Sequence, residues 1–377
     1  MATETKTGDK DRRPETRRVK RSRVSVLYTS PDTVLEDYRR AMELAGLEEH
    51  LSKDTATLLK INISWQYFYP ACSTPPWQLE GVIKSLQGLG YRELIAAHNG
   101  TVVVDAREGE VSNKQKVVVD RYGLPNMHLE EAPVRWVQYR PKAKMLVLDE
   151  IFPDGIRIPE PFIGKNIVHL PTVKTHVFTT MTGAMKNAFG GLLNHKRHYT
   201  HSVIHETLVD LLAIQKEIHP GIFAVMDGAF AGDGPGPRAM RWHVKNVILA
   251  GADQVAIDAV AAKMMGFDPM SIRFIRLAHE QGLGCGDTRE IDVVGEDVSG
   301  VDWGFKGSEN TFASRGQKLI YWGPLKRLEK LLLQSPLVPW AYLASNIYHN
   351  FFWMNLIGRR RIREAMKTDW GRLFQRY

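Results

Sequence analysis

Between Pro171 and His205 the sequence gathers side chains that can do chemistry on an anion. Lys174 and Lys186 supply positive charge, and Thr179, Thr180 and Thr182 supply hydroxyl donors. Gly183 and the Gly190–Gly191 pair allow a backbone to come close to a ligand. A helix that starts near Thr182 turns its free N–H groups toward a bound anion, which suits Thr182, Gly183, Lys186 and Asn187 as a binding run. The stretch is not a Walker A loop, because no Gly-Lys-Ser/Thr occurs in it. The competing reading is an ordinary surface loop in which Thr182 caps a helix.

His195, Arg197, His198, His201 and His205 follow at once. On a helix His198, His201 and His205 share a face, and His201 with His205 has the i,i+4 spacing of a metal pair. The zinc-protease pattern HExxH is absent, so a third ligand has to come from His176 or Asp227. Metal binding, contact with a substrate phosphate (for Arg197 and His201) and a purely structural role all fit this spacing. Asp227-Gly228 closes a predicted strand and leads into a loop with Gly234 and Gly236. A carboxylate there suits a metal or a ligand hydroxyl; a tight loop explains the glycines equally well. Asp253 and Asp258 flank the start of a predicted helix, where Asp253 serves as N-cap. Lys60, Asn62 and Ser64 alternate along another predicted strand, placing a lysine and an asparagine at its end.

The elements that position these groups are short apolar runs alternating with amphipathic stretches. Strands are predicted at 24–28, 58–63, 94–97, 145–148, 166–170, 222–226, 244–250 and 291–294, and helices at 33–48, 76–89, 203–218, 253–265 and 271–281. The pattern predicts an α/β fold with a largely parallel or mixed sheet, helices on both faces and a C-terminal helical extension. Ligands of such sheets lie beyond the carboxyl ends of the strands. Asn62, His98, Asn99, Lys174, His176 and Asp227 all follow or end predicted strands, which predicts one shared site.

Composition sets the outer bounds. The 377 residues, 44% hydrophobic and 24% charged, suffice for a packed core without disulfides. Cys72 and Cys285 are too few and too far apart for a cysteine-bound zinc or iron–sulfur cluster, and a reducing, cytoplasmic setting fits them. Net charge is +8, which favours anionic partners. Much of the excess sits in the polar segment 1–22, expected to be a disordered basic tail, and in Arg359–Arg363. Residues 23–300 then form the α/β domain, 301–320 a linker, and 321–377 an aromatic and basic helical tail. Within that tail Leu337–Ile357 carries no formal charge and is rich in aromatics. Three readings fit: an element lying on an anionic membrane surface through 325–363, a hairpin packed on the protein or on a second subunit of a homo-oligomer, and a membrane span. Nucleic acid is not an expected partner, since no nucleic-acid motif accompanies the basic tail.

Six motifs, in order, resemble the DUF362 family: Lys60-x-Asn62; Pro171-x2-Lys174-x-His176; Thr182-Gly183-Ala184-x-Lys186-Asn187; Asp227-Gly228 with Gly234-Pro235-Gly236; Asp253-x2-Ala256-x-Asp258-Ala259; and Gly282-Leu283-Gly284. The resemblance covers roughly 24–295. It implies no assigned activity, since the family is named for lacking one. Many relatives carry ferredoxin-type cysteine clusters; this chain has none, so no self-contained iron–sulfur cluster is expected. Together the residues predict an enzyme for a small phosphate- or carboxylate-bearing substrate, metal-assisted or using acid/base chemistry, with a non-catalytic, membrane-associated ligand or cofactor scaffold as the alternative. Lys174, His176, Lys186 and His201 are the candidate catalytic groups. Lys60, Asn62, Thr182, Gly183, Asn187, Arg197, Gly234 and Gly236 are the candidate substrate contacts. His176, His201, His205, Asp227 and Asp258 are the candidate ligands of a divalent metal.

Overall fold

The computed structural model describes residues 21–100, 104–193, 195–307, 309–310, 312–324, 326–328 and 347–377. Residues 1–20 of the expected basic tail and 325 and 329–346 of the aromatic tail lie outside them.

The chain builds a ten-stranded mixed sheet. Its strands are β1 (Arg23–Tyr28), β2 (Thr57–Ile61), β3 (Leu94–His98), β4 (Asn126–His128), β7 (Asn166–Leu170), β8 (Thr172–His176), β9 (Thr180–Met181), β10 (Ile222–Asp233), β11 (Arg241–Gly251) and β12 (Asp292–Gly295). A separate hairpin pairs β5 (Trp136–Tyr139) with β6 (Ile156–Pro159). The main order is β12-β1-β11-β10-β7-β2-β3-β4, with β8 on β10 and β9 on β8. From β4 across to β10 every pairing is parallel; β11 runs antiparallel to both of its neighbours. The carboxyl ends of β2, β3, β4 and β7 therefore share one edge.

Alternation along the strands builds two apolar layers, one per face. On β10, Ala224 and Met226 join the layer with the helices Ile204–Ile218 and Gln254–Met265, while Phe223 and Val225 join the layer with the helices Val34–Leu44 and Pro76–Gly88. Helices stand at 76–89, 203–218, 253–265 and 271–281 as expected, whereas that expected at 33–48 ends at Leu44 and a separate helix, Leu47–His50, follows Gly46, whose φ is +74°. Asp253 caps its helix as expected, accepting from the N–H groups of Val255 and Ala256.

Three further expectations need correction. Residues 145–148 form no strand: the Asp210 carboxylate accepts the N–H groups of Leu146, Val147 and Leu148, and the chain turns into the helix Leu148–Ile151. β10 does not stop near Met226 but runs through the glycines to Asp233, because its second half pairs with β8 and β11. The span 301–320 is not only a linker, since the helix Phe312–Tyr321 lies largely within it.

The described end of the tail is helical and packed on the protein. Trp353, Met354, Trp370 and Phe374 belong to the core layer beside Trp65, Tyr69 and Trp77. Trp65 Nε1 donates to Asn350, and Trp370 Nε1 donates to Asn246. Among the described residues no helix is long and apolar enough to cross a membrane.

Candidate functional site

The expected shared edge carries a cavity of about 230 Å³. β2 supplies Lys60, and the chain just past it supplies Asn62, Ile63 and Ser64; Asn99 follows β3. The segment after β9 supplies Thr182, Lys186, Asn187, Phe189 and Gly190, and the 3-10 helix His195–Val203 adds Arg197, His198 and His201. Pro237 and Arg238 arrive from the loop between β10 and β11. Seven of the predicted site residues thus line one cavity: Lys60, Asn62, Thr182, Lys186, Asn187, Arg197 and His201.

Its charge is one-sided. Lys60, Lys186, Arg197 and Arg238 line the cavity, and among the described residues no Asp or Glu lines it. Lys60 is 2% exposed and donates to the Ile61 carbonyl at 2.7 Å. Burial, reinforced by the Arg197 charge, pushes its ammonium down to about 7, against an opposing pull from Glu130. Burial likewise pushes Lys186 down to about 7, with Lys174 and Arg197 adding repulsion. Lys186 Nζ stands 5.5 Å from the Phe189 ring centre. Arg197 donates to the Gly100 carbonyl at 2.9 Å, and Arg238 to the Ser64 carbonyl at 3.1 Å. The Asn187 amide donates to the Lys60 carbonyl at 2.8 Å, fixing that wall to β2. Asn62 donates to the Cys72 carbonyl and accepts from Ser64 Oγ. The Thr182 hydroxyl is buried and, among the described residues, has no hydrogen-bond partner.

The histidines separate. His201 Nδ1 faces the His198 carbonyl at 3.1 Å, its ring stacks on Tyr321, and burial brings it down to about 4. His176 is not a lining residue; its Nδ1 accepts from Phe178 N–H and contacts Thr179 Oγ1, and burial holds it well below the usual histidine range. Charged neighbours Lys186 and Lys174 push it in the same direction. His205 stacks on Phe274 instead of facing the cavity.

Other predicted residues serve the fold around the cavity. Lys174 is fully buried and donates to Thr172 Oγ1, its ammonium pushed by burial to about 8. Asp227 sits inside β10, not at a strand end; Tyr38 Oη donates to it at 2.6 Å and Trp77 Nε1 at 2.9 Å. Burial raises Asp227 to about 6. Asp258 accepts the N–H groups of Ala184 and Met185, so a carboxylate of this chain already occupies the N-terminus of the helix Gly183–Asn187. Burial pushes Asp258 up to about 8, against those N–H groups. Gly183 leaves room for that carboxylate, with φ +75°. Gly236 presses on the Thr175 carbonyl, and Gly234 O accepts from Thr175 Oγ1. These two glycines shape the turn that brings in Arg238; they are not lining residues. Gly191 packs against Lys60 and Gly190 near Asn99, so the glycine pair approaches the chain's own side chains. Among the described residues His176, His201, His205, Asp227 and Asp258 do not form a three-ligand group.

Sequence reasoning missed Arg238 altogether. Its one signal is position: it follows the Gly234–Pro237 turn that returns the chain from β10.

Comparison with curated proteins finds no match. Among solved structures, a crystal structure of a protein from Thermotoga maritima is similar over 67% of this chain, with 11% identity and a TM-score of 0.39. The chain spans 60% of the length of that protein. The family described as a domain of unknown function, DUF362, matches residues 57–263, and this span holds every residue that lines the cavity. With more than half of its length matched, the chain belongs to the DUF362 family.

Proposed function

We propose that the cavity binds a small anionic substrate bearing phosphate or carboxylate, and that the chain is an enzyme using acid/base chemistry on it. The carrying observation is the set of four cationic side chains, Lys60, Lys186, Arg197 and Arg238, around a cavity that no carboxylate lines among the described residues. Charge-assisted hydrogen bonds from such groups favour an anion strongly when water is largely excluded. Two of the four, Lys60 and Lys186, are held at about 7, where a lysine can both give and take a proton near neutral pH. Lys186 is the first choice for proton transfer, since its Nζ has no hydrogen-bonding oxygen among the described residues while Lys60 is engaged with a carbonyl. The Thr182 hydroxyl, buried and without a hydrogen-bond partner among the described residues, is the neutral group best placed to orient the ligand.

Calorimetric titration of the full chain with inorganic phosphate, pyrophosphate and citrate tests the reading. At least one of these anions is expected to bind, and Lys186→Met to weaken it roughly 10- to 100-fold, the range for losing one charge-assisted hydrogen bond. Binding by none of the three, or unchanged affinity in the variant, overturns it.

A peripheral membrane placement is part of the same proposal. Phe351, Phe352, Leu356 and Ile357 are exposed on the segment Ile347–Gly358, and exposed Arg359, Arg360 and Arg363 follow. Apolar rings beside arginines suit the interface of an anionic bilayer.

A further inference from the structure

At the carboxyl ends of β3 and β4 lies a second polar cluster, outside the cationic cavity. Parallel pairing sets His98, the last residue of β3, opposite His128, the last of β4, so both side chains leave the sheet on one side. The helix Ala106–Ser112 brings Glu110 between them. All three are buried, at 1%, 7% and 3% exposure for His98, His128 and Glu110.

Their ligand atoms lie within 4.8 Å of one another. His98 Nε2 is 3.1 Å from Glu110 Oε2, and His128 Nε2 is 3.4 Å from Glu110 Oε1. The two imidazole centres are 4.2 Å apart and tilted by 56°. A tetrahedral ion with bonds of about 2.0–2.1 Å holds its ligand atoms about 3.3 Å apart, close to the His128–Glu110 spacing.

Hydrogen bonding does not complete the cluster. His128 Nε2 and His98 Nδ1 are buried without a hydrogen-bond partner among the described residues. Buried imidazole nitrogens are ordinarily satisfied, so these two orphans point to a missing partner. Asn126 Oδ1 accepts from His98 Nε2 at 2.6 Å, which puts the proton on Nε2 and leaves Nδ1 as the nitrogen open to an ion, and Asn126 Nδ2 donates to Glu110 Oε2 at 2.8 Å. It braces two of the three side chains, as the outer groups of metal sites do.

We propose that His98, Glu110 and His128 bind one divalent first-row transition ion of the zinc class. Two imidazoles and one carboxylate suit such an ion better than magnesium or calcium, which take oxygen ligands. The ion ties β3, β4 and the helix Ala106–Ser112 together. Asn99, next to His98, lines the anion cavity, and the Gly100 carbonyl holds Arg197. The ion therefore sets one wall of the cavity, although its own binding does not depend on what the cavity takes.

The test is metal stoichiometry on full-length protein without a His tag, stripped with chelator and titrated with Zn²⁺ and with Co²⁺. One equivalent per chain is expected, with Co²⁺ giving the visible bands of a four- or five-coordinate site. His128→Ala and Glu110→Gln should each lose that equivalent, and Asn126→Ala should weaken it about 10- to 100-fold. His201→Ala and His205→Ala should keep it. Native protein that takes up neither ion overturns the proposal without recourse to any variant. So does loss of the ion in His201→Ala or His205→Ala with retention in folded His128→Ala. Phosphate binding is read separately in stripped protein, so failure of the metal site and failure of the anion site are distinguishable.

Discussion

At the scale of single residues, the cavity's chemistry rests on lysines that burial has brought into the neutral range. Lys60 and Lys186 both sit at about 7, whereas Arg197 and Arg238 are guanidinium groups that stay charged, and His201 at about 4 is neutral near pH 7. Glu130 pulls Lys60 the other way but is not a lining residue. A bound anion favours the protonated amines, so binding takes up protons. Affinity is then full below about pH 7 and falls as pH rises through that value. Sulfate isolates the effect, since it does not titrate between pH 5 and 9. Its affinity should drop above pH 7 by up to about tenfold per pH unit for each lysine involved. Lys60→Met/Lys186→Met should flatten the profile, leaving the arginines; a flat profile in the native protein would falsify the lysine assignment. Much of this site was legible. Lys60, Asn62, Lys186 and Arg197 stand out as polar groups near strand ends or in a glycine-rich run. Arg238 did not, because its partner Ser64 is far away in sequence. The burial of Lys174 and His176 was not legible either, because polar residues on a fully buried strand look like a loop when read without their neighbours.

At the scale of elements, the junction of the helices Gly183–Asn187 and Gln254–Met265 sets where Thr182, Lys186 and Asn187 stand. Asp258 reaches from the second helix to the first two N–H groups past Gly183, and a Cβ on Gly183 would collide with that carboxylate. Gly183 also holds φ +75°, which a side chain adopts only under strain. Gly183→Ala is therefore expected to destabilise the protein by roughly 2–4 kcal/mol, from left-handed strain together with overpacking. Urea unfolding measures it. In the Gly183→Ala background Asp258→Ala should cost less than it does alone, since removing the carboxylate relieves the collision; equal costs would show that the two sites are independent. The sequence announced a helix start here but not who occupies it. Helix N-termini attract any anion, and a carboxylate of the same chain competes with a ligand for that place. The same competition hides the turn at 145–148, where Asp210 converts an apolar run into a bend.

At the scale of the whole molecule, the tail has a buried side and an exposed side that composition alone does not separate. Trp353, Trp370 and Phe374 pack into the core layer, while Phe351, Phe352, Leu356 and Ile357 face outward. Read as a string, the uncharged run Phe351–Ile357 mixes buried Trp353 and Met354 with exposed Phe351, Phe352, Leu356 and Ile357. Only the partners at Trp65, Trp77 and Asn246 divide them, and those come from distant strands and helices. Deleting the tail is therefore a poor probe of membrane binding, because removing Trp370 or Phe374 opens the core; burial of one large aromatic is worth about 3–5 kcal/mol on truncation to alanine. Phe351→Ser/Phe352→Ser/Leu356→Ser leaves those buried rings in place and removes only the outward face. If that face rests on a bilayer, the native protein should sediment with vesicles containing phosphatidylserine. It should do so less with pure phosphatidylcholine, and less as salt is raised, because Arg359, Arg360 and Arg363 contribute through screened attraction. The triple variant should lose most of the bound fraction while keeping the native Tm. Equal sedimentation of native and variant protein, or none by the native protein on anionic vesicles, would place the exposed rings in some other role and leave the anion cavity untouched.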